Sequence, residues 1–123
     1  MRPRRRWALL YGPSLSPLDV VTVRRAELRR LVSTTAEARL EALRTRPYAD
    51  LRQLPSHSTE SIANTKGVVE TYRDELGAGR LRIVVQGFLP GWLGSAFIWA
   101  NGFTLDTDGS MAPLSEEALW DFK

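Results

Sequence analysis

The chain has 123 residues, 43% of them hydrophobic, with four Trp, no Cys and a formal net charge of +3. That length and apolar content suit one domain with its own core and exclude global disorder, and the missing thiols exclude disulfides, thiolate metal sites and thiol chemistry. Residues 1–46 hold 11 Arg against four acids, a net of +7, whereas residues 47–123 hold six basic and 10 acidic residues, a net of −4; such blocks attract nucleic acid or protein partners, or each other within the fold.

Arg2, Arg4, Arg5 and Arg6 precede Trp7–Tyr11 in the manner of a secretory leader. The apolar run is only about five residues, where such a core needs roughly 7 to 15, so the chain is read as not exported. No run of about 18 apolar residues exists, which excludes a transmembrane helix. A cytoplasmic location is the expectation. Pro3, Gly12 and Pro13 punctuate residues 1–15, which are expected to be a flexible basic tail outside a single domain over 16–123. Their poor fit to the domain pattern raises the hypothesis that the tail precedes the native start codon.

Ser16-Pro17-Leu18-Asp19 has the form of a helix start, with Ser16 as cap and Pro17 where its missing N–H costs nothing. Val20, Val21 and Val23 lower helix propensity, so the first turn is expected to fray or the helix to begin nearer Arg24. From Arg24 to Arg46, Leu28, Leu31, Val32, Thr35, Ala36, Leu40 and Leu43 recur every three or four residues as one apolar stripe. Pro47 ends that helix. A short helix over Tyr48–Leu54 follows, and then a polar run, Ser56–Ser61, serving as linker or strand edge. Asn64-Thr65-Lys66-Gly67 marks a turn.

Val68–Glu75 alternates as a strand whose inward set is either Val68, Glu70 and Tyr72 or Val69, Thr71 and Arg73. In the next strand Leu81, Ile83 and Val85 form a buried face, with Arg82, Val84, Gln86 and Phe88 opposite. Pro90-Gly91 suits the central positions of a type II turn. Ser95–Ala100 alternates again, with Phe97 and Trp99 on one face. Asn101-Gly102 is expected to bulge or break the strand, Asp108-Gly109 to turn, and Met111–Leu114 to add a short edge strand. Ser115 caps a closing helix in which Leu119 and Phe122 dock on the sheet.

Sites with chemistry are scarce. Asp106-Thr107-Asp108-Gly109 begins like a calcium loop, but the register puts Thr104 and Ser115 where the anchoring carboxylates belong, so a plain turn is expected. His57 is the lone imidazole, its nearest acid along the chain is Glu60, and it is read as a polar linker residue rather than a base. Glu70 with Glu75, Asp74 or Asp106 could supply a carboxylate acid–base pair, which leaves a small-molecule-binding protein or enzyme as one alternative. No phosphate-binding glycine motif is present. No cofactor, catalytic residue or metal ligand is therefore assigned. Arg4, Arg5, Arg6, Arg24, Arg25, Arg29 and Arg30 could contact nucleic acid, with Trp92 or Phe88 stacking on bases, a second alternative. The leading expectation is a non-catalytic protein-interaction or homo-oligomeric module, with Val84, Phe88, Trp92, Leu93 and Ile98 as its surface.

Arg46-Pro47-Tyr48, Val69–Glu75, Leu81–Gln86, Gly91-Trp92-Leu93-Gly94, Asn101-Gly102-Phe103, Asp108-Gly109-Ser110 and Glu116–Trp120 together resemble small uncharacterised bacterial proteins of Arg-rich composition. The resemblance spans about residues 46–122. It implies a helical N-terminal half and a β-rich C-terminal half and brings no activity, ligand or catalytic residue. The fold expected is α+β: a long N-terminal helix packed on an antiparallel sheet of three to five strands, closed by a short C-terminal helix.

Overall fold

The computed structural model describes residues 17–120, and their side chains from Arg24 onward. The expected tail over 1–15, the cap at Ser16 and the docking of Phe122 lie outside the described residues. Helix α1 (Pro17–Arg44) opens the fold, followed by a short α2 (Tyr48–Arg52). Five strands follow: β1 (His57–Ser61), β2 (Val68–Gly77), β3 (Arg80–Pro90), β4 (Ala96–Leu105) and β5 (Met111–Pro113). Helix α3 (Glu116–Leu119) comes last. The strands form one antiparallel sheet in the order β1-β2-β3-β4-β5, each beside its neighbour in the chain. The α+β expectation holds. Among the described residues no helix is long and apolar enough to cross a membrane.

Helix α1 begins at Pro17 rather than near Arg24, so the valines do not delay it. A 28-residue helix draws its stability mostly from packing, which outweighs a few tenths of a kcal/mol of local propensity. Among the described side chains of α1, Val32, Ala36, Leu40 and Leu43 have essentially no exposure, and the helix lies chiefly over β3 and β4. Leu31, expected in the stripe, is exposed instead, since its position falls to one side of the line through 32, 36, 40 and 43. The chain leaves the helix at Arg44, and Arg46 N–H donates to the Leu43 carbonyl to close the turn before Pro47.

The register decides which face of the sheet meets the helix. Thr71 pairs with Val85, and Ile83 with Phe103, so Val69, Thr71 and Arg73 point toward α1 together with Leu81, Ile83, Val85, Phe103 and Leu105. The ambiguity in β2 therefore resolves to the set beginning at Val69. Arg73 is tolerated there because its Nε donates to the Leu54 carbonyl at 2.7 Å and its Nη1 approaches Glu75.

On the second face, Val84 is completely buried. Its cover is the chain's own C-terminal segment. Leu114 N–H donates to the Gly102 carbonyl, and a Cβ placed on Gly102 would lie 3.0 Å from Leu114 Cδ1 and 3.1 Å from Val84 Cα. Leu119 is buried beyond it, with Ser115 Oγ accepting from the Ala118 N–H as the expected cap. The same crowding corrects the expected break at Asn101-Gly102: β4 runs unbroken from Ala96 to Leu105, and the glycine makes room for neighbouring atoms.

A second correction concerns the β3–β4 turn. Pro90 is not a turn residue; it ends β3, paired with Ala96, and Gly91 continues extended at φ −123°. Gly91 N–H donates to the Ser95 carbonyl at 2.8 Å, and Ser95 N–H to Trp92 O at 2.9 Å. The reversal falls instead on Leu93 at φ 52° and Gly94 at φ 82°, both left-handed. That geometry matches the right-handed twist of the flanking strands, which a type II turn at 90–91 would splay.

Candidate functional site

The hairpin tip stands out by exposure. Trp92 is 80% exposed and Leu93 94%. Behind the tip, Phe88 and Ile98 are directly paired across β3 and β4 on the second face, Phe88 half-buried and Ile98 44% exposed. Of the five residues expected to form an interaction surface, four therefore gather at one end of the sheet. Val84 does not join them, because Leu114 and its neighbours close that part of the face.

Leu93 carries the more telling signal. A leucine in the left-handed region costs about 1–2 kcal/mol through contact of its Cβ with backbone oxygen. A strained side chain is usually repaid by burial, and this one has almost none. Ala78, at φ 54° in the two-residue β2–β3 turn, is likewise strained, but it presents only a methyl group.

The basic residues of α1 do not act as one stripe. Arg24 and Arg25 line a cleft with Lys66, whereas Arg29 places its guanidinium 6.0 Å from the centroid of Phe97, a cation–π contact. Arg30 is exposed. Arg4, Arg5 and Arg6 lie outside the described residues.

A polar cluster that residue spacing along the chain did not reveal occupies the β1–β2 edge of the second face. Pairing of His57 with Tyr72 and of Thr59 with Glu70 brings Glu70, not Glu60, to the imidazole. His57 Nε2 and Glu70 Oε1 are 2.8 Å apart, Tyr72 donates its hydroxyl to the same oxygen at 2.8 Å, and the His57 and Tyr72 rings stack at 4.5 Å. Burial, then the hydrogen bond to Glu70, then the Glu70 charge push the Tyr72 phenol up to about 12. The signal available in the sequence was the hairpin itself: two strands joined across Asn64–Gly67 fix which residues face each other.

This cluster is not a nucleophile triad. A triad places hydroxyl and carboxylate on opposite ring nitrogens, whereas Thr59 Oγ1 and Glu70 both face Nε2, the hydroxyl at 3.5 Å. The other carboxylates considered for an acid–base pair each have a cation of their own: Asp74 takes the Arg82 Nε at 3.0 Å, Glu75 the Arg73 Nη1 at 3.2 Å and Asp106 the Arg80 Nε at 2.8 Å. Asp106 in turn holds Arg80 above its ordinary range by hydrogen bond and charge. Asp108 accepts from the hydroxyl and N–H of Ser110, which lowers its carboxyl. That places it in a plain Asx-type turn closed by Gly109 at φ 93°. Among the described residues no three His, Cys, Asp or Glu converge as metal ligands would.

No protein-family model, curated protein or solved structure matches this chain. Its helical N-terminal half and β-rich C-terminal half are the part of the resemblance present in the structure.

Proposed function

We propose that the protein is a small non-catalytic interaction module that inserts the β3–β4 hairpin tip into an apolar pocket on a partner protein. The observation carrying this reading is Leu93, almost wholly exposed in a strained backbone conformation beside an exposed Trp92. Interface anchors are enriched in Trp, and a rigid turn presents such an anchor with little entropy left to lose on binding. Phe88 and Ile98 extend the contact along the sheet. Arg24, Arg25 and Lys66 lie at the same end of the fold as Pro90, which favours a partner whose pocket has an acidic rim. A second copy of this chain is the other occupant to be distinguished.

The test is a photoreactive phenylalanine analogue at position 92, illuminated in the native cell, with the same analogue at position 30 as control. A discrete adduct from position 92 and none from position 30 is the expected result. An adduct of twice the chain mass identifies self-association, to be checked by sedimentation at about 100 μM. Diffuse or absent adducts at position 92 would refute the reading.

A further inference from the structure

We infer that the cleft between the second and third turns of α1 and the β1–β2 turn is a binding site for a small organic anion with an apolar body. The cleft measures about 430 Å³, within the range of small-molecule sites. Its lining divides by chemistry: Leu28, Leu89 and Pro90 supply apolar surface, while Arg24, Arg25 and Lys66 supply three cations. No acid lines it. Among the described residues these three cations have no carboxylate partner, a condition shared with Arg29, Arg30, Arg46 and Arg52; what distinguishes them is that they converge on one apolar floor. Three uncompensated cations around an apolar floor repel one another, and a bound anion relieves that repulsion.

Two features shape the cleft around Lys66 and Arg25. The β1–β2 turn is locked by Thr65, whose hydroxyl donates to the Ile62 carbonyl at 2.9 Å and accepts from the Gly67 N–H at 3.0 Å, which fixes the backbone beside Lys66. Arg25 lies against the backbone of Gly91: a Cβ there would come within 2.6 Å of Arg25 Nη2 and 2.5 Å of Ser95 Oγ. Gly91 has an ordinary extended φ, so what the position requires is space for the guanidinium. A phosphate or carboxylate matches the Arg fork, and an aryl or short alkyl group fits the apolar floor. The site does not use Trp92 or Leu93, but its three cations are the ones set above against a partner's acidic rim; because a small anion is titrated without any partner, failure of crosslinking at position 92 leaves this site standing.

The full chain is titrated with phenyl phosphate, benzoate, inorganic phosphate and benzyl alcohol, observed by amide and Arg side-chain NMR. Saturable shifts at Lys66 and Arg25 with phenyl phosphate or benzoate are expected, weaker with inorganic phosphate and absent with benzyl alcohol; the stronger of the two organic anions tells phosphate from carboxylate. Arg25→Gln and Lys66→Gln are each expected to weaken binding about tenfold, the equivalent of one charge-assisted hydrogen bond. Gly91→Ala, which leaves every charge unchanged, is expected to weaken it by displacing Arg25; native-like spectra verify the fold of each variant. The inference is overturned if phenyl phosphate and benzoate give no saturable shift at about 10 mM. Equal affinity for inorganic phosphate, or undiminished binding by both Gln variants, also overturns it. So does tighter, steeply salt-dependent binding of a short oligonucleotide through the same residues, which would make the cleft part of a nucleic-acid surface.

Discussion

Leu93→Gly is expected to make the protein more stable and less able to bind its partner. The leucine occupies φ 52°, ψ 43°, where an L-residue costs about 1–2 kcal/mol and glycine is at ease. Against that relief stands the larger backbone entropy of an unfolded chain containing glycine, about 0.5–1 kcal/mol. Lost burial is close to nil, because the side chain is 94% exposed. The balance is a stabilisation of about 0.5–1 kcal/mol, or a rise in Tm of roughly 2–5 °C for a domain of this size. Urea unfolding followed by circular dichroism reads it directly, with Ala78→Gly as the matched control, since Ala78 holds almost the same φ in another hairpin. Loss of crosslinking from position 92 in the stabilised variant would separate binding from folding. A fall in stability of about 1 kcal/mol or more would refute the reasoning, because it would mean that Leu93 makes packing contacts within its own chain.

Gly102→Ala should destabilise by about 1–3 kcal/mol, since the added Cβ has the Ile83 carbonyl, Val84 Cα and Leu114 around it and little room to move; a change in the urea midpoint worth less than about 0.5 kcal/mol would contradict the crowding. Tyr72, raised in the folded state, gives up its proton first in the unfolded chain. Its contribution to stability is therefore complete below pH 10 and is lost as pH rises toward 12. The phenolate absorbance difference between the wild type and Tyr72→Phe should appear near the top of that window, and Glu70→Gln should move it down; a transition at the ordinary tyrosine value in the wild type would count against the network.

Much of the architecture was legible because it rests on periodicity. The stripe through Val32, Ala36, Leu40 and Leu43 and the alternation of Leu81, Ile83 and Val85 each specify an element and its buried face from local order alone. What was not legible depended on neighbours distant in the chain. The straight passage of β4 through Gly102 depends on Leu114 and Val84 lying over it, and the burial of Val84 depends on where the C-terminal segment returns. The reversal falls at Leu93-Gly94 rather than at Pro90-Gly91, the stronger local turn signal, because the hydrogen-bonded ladder through Gly91 and Ser95 overrides it. The site residues followed the same division. Trp92, Leu93, Phe88 and Ile98 are visible as apolar residues near a turn, whereas the convergence of His57 with Glu70 depends on strand register and that of Arg25 with Lys66 on the packing of α1 beside the β1–β2 turn.

The sheet's two margins narrow how the molecule can be approached. β1 reads His-Ser-Thr-Glu-Ser, short and polar, and β5 is three residues long and ends in Pro113, which has no N–H to offer. Neither is a good template for an added strand, so backbone pairing is a poor route to either assembly or aggregation. An association then has to be won by side chains, and it becomes selective for the shape of whatever receives them. If the hairpin tip is the anchor proposed above, a single substitution there changes the choice of partner while the sheet behind it stays the same.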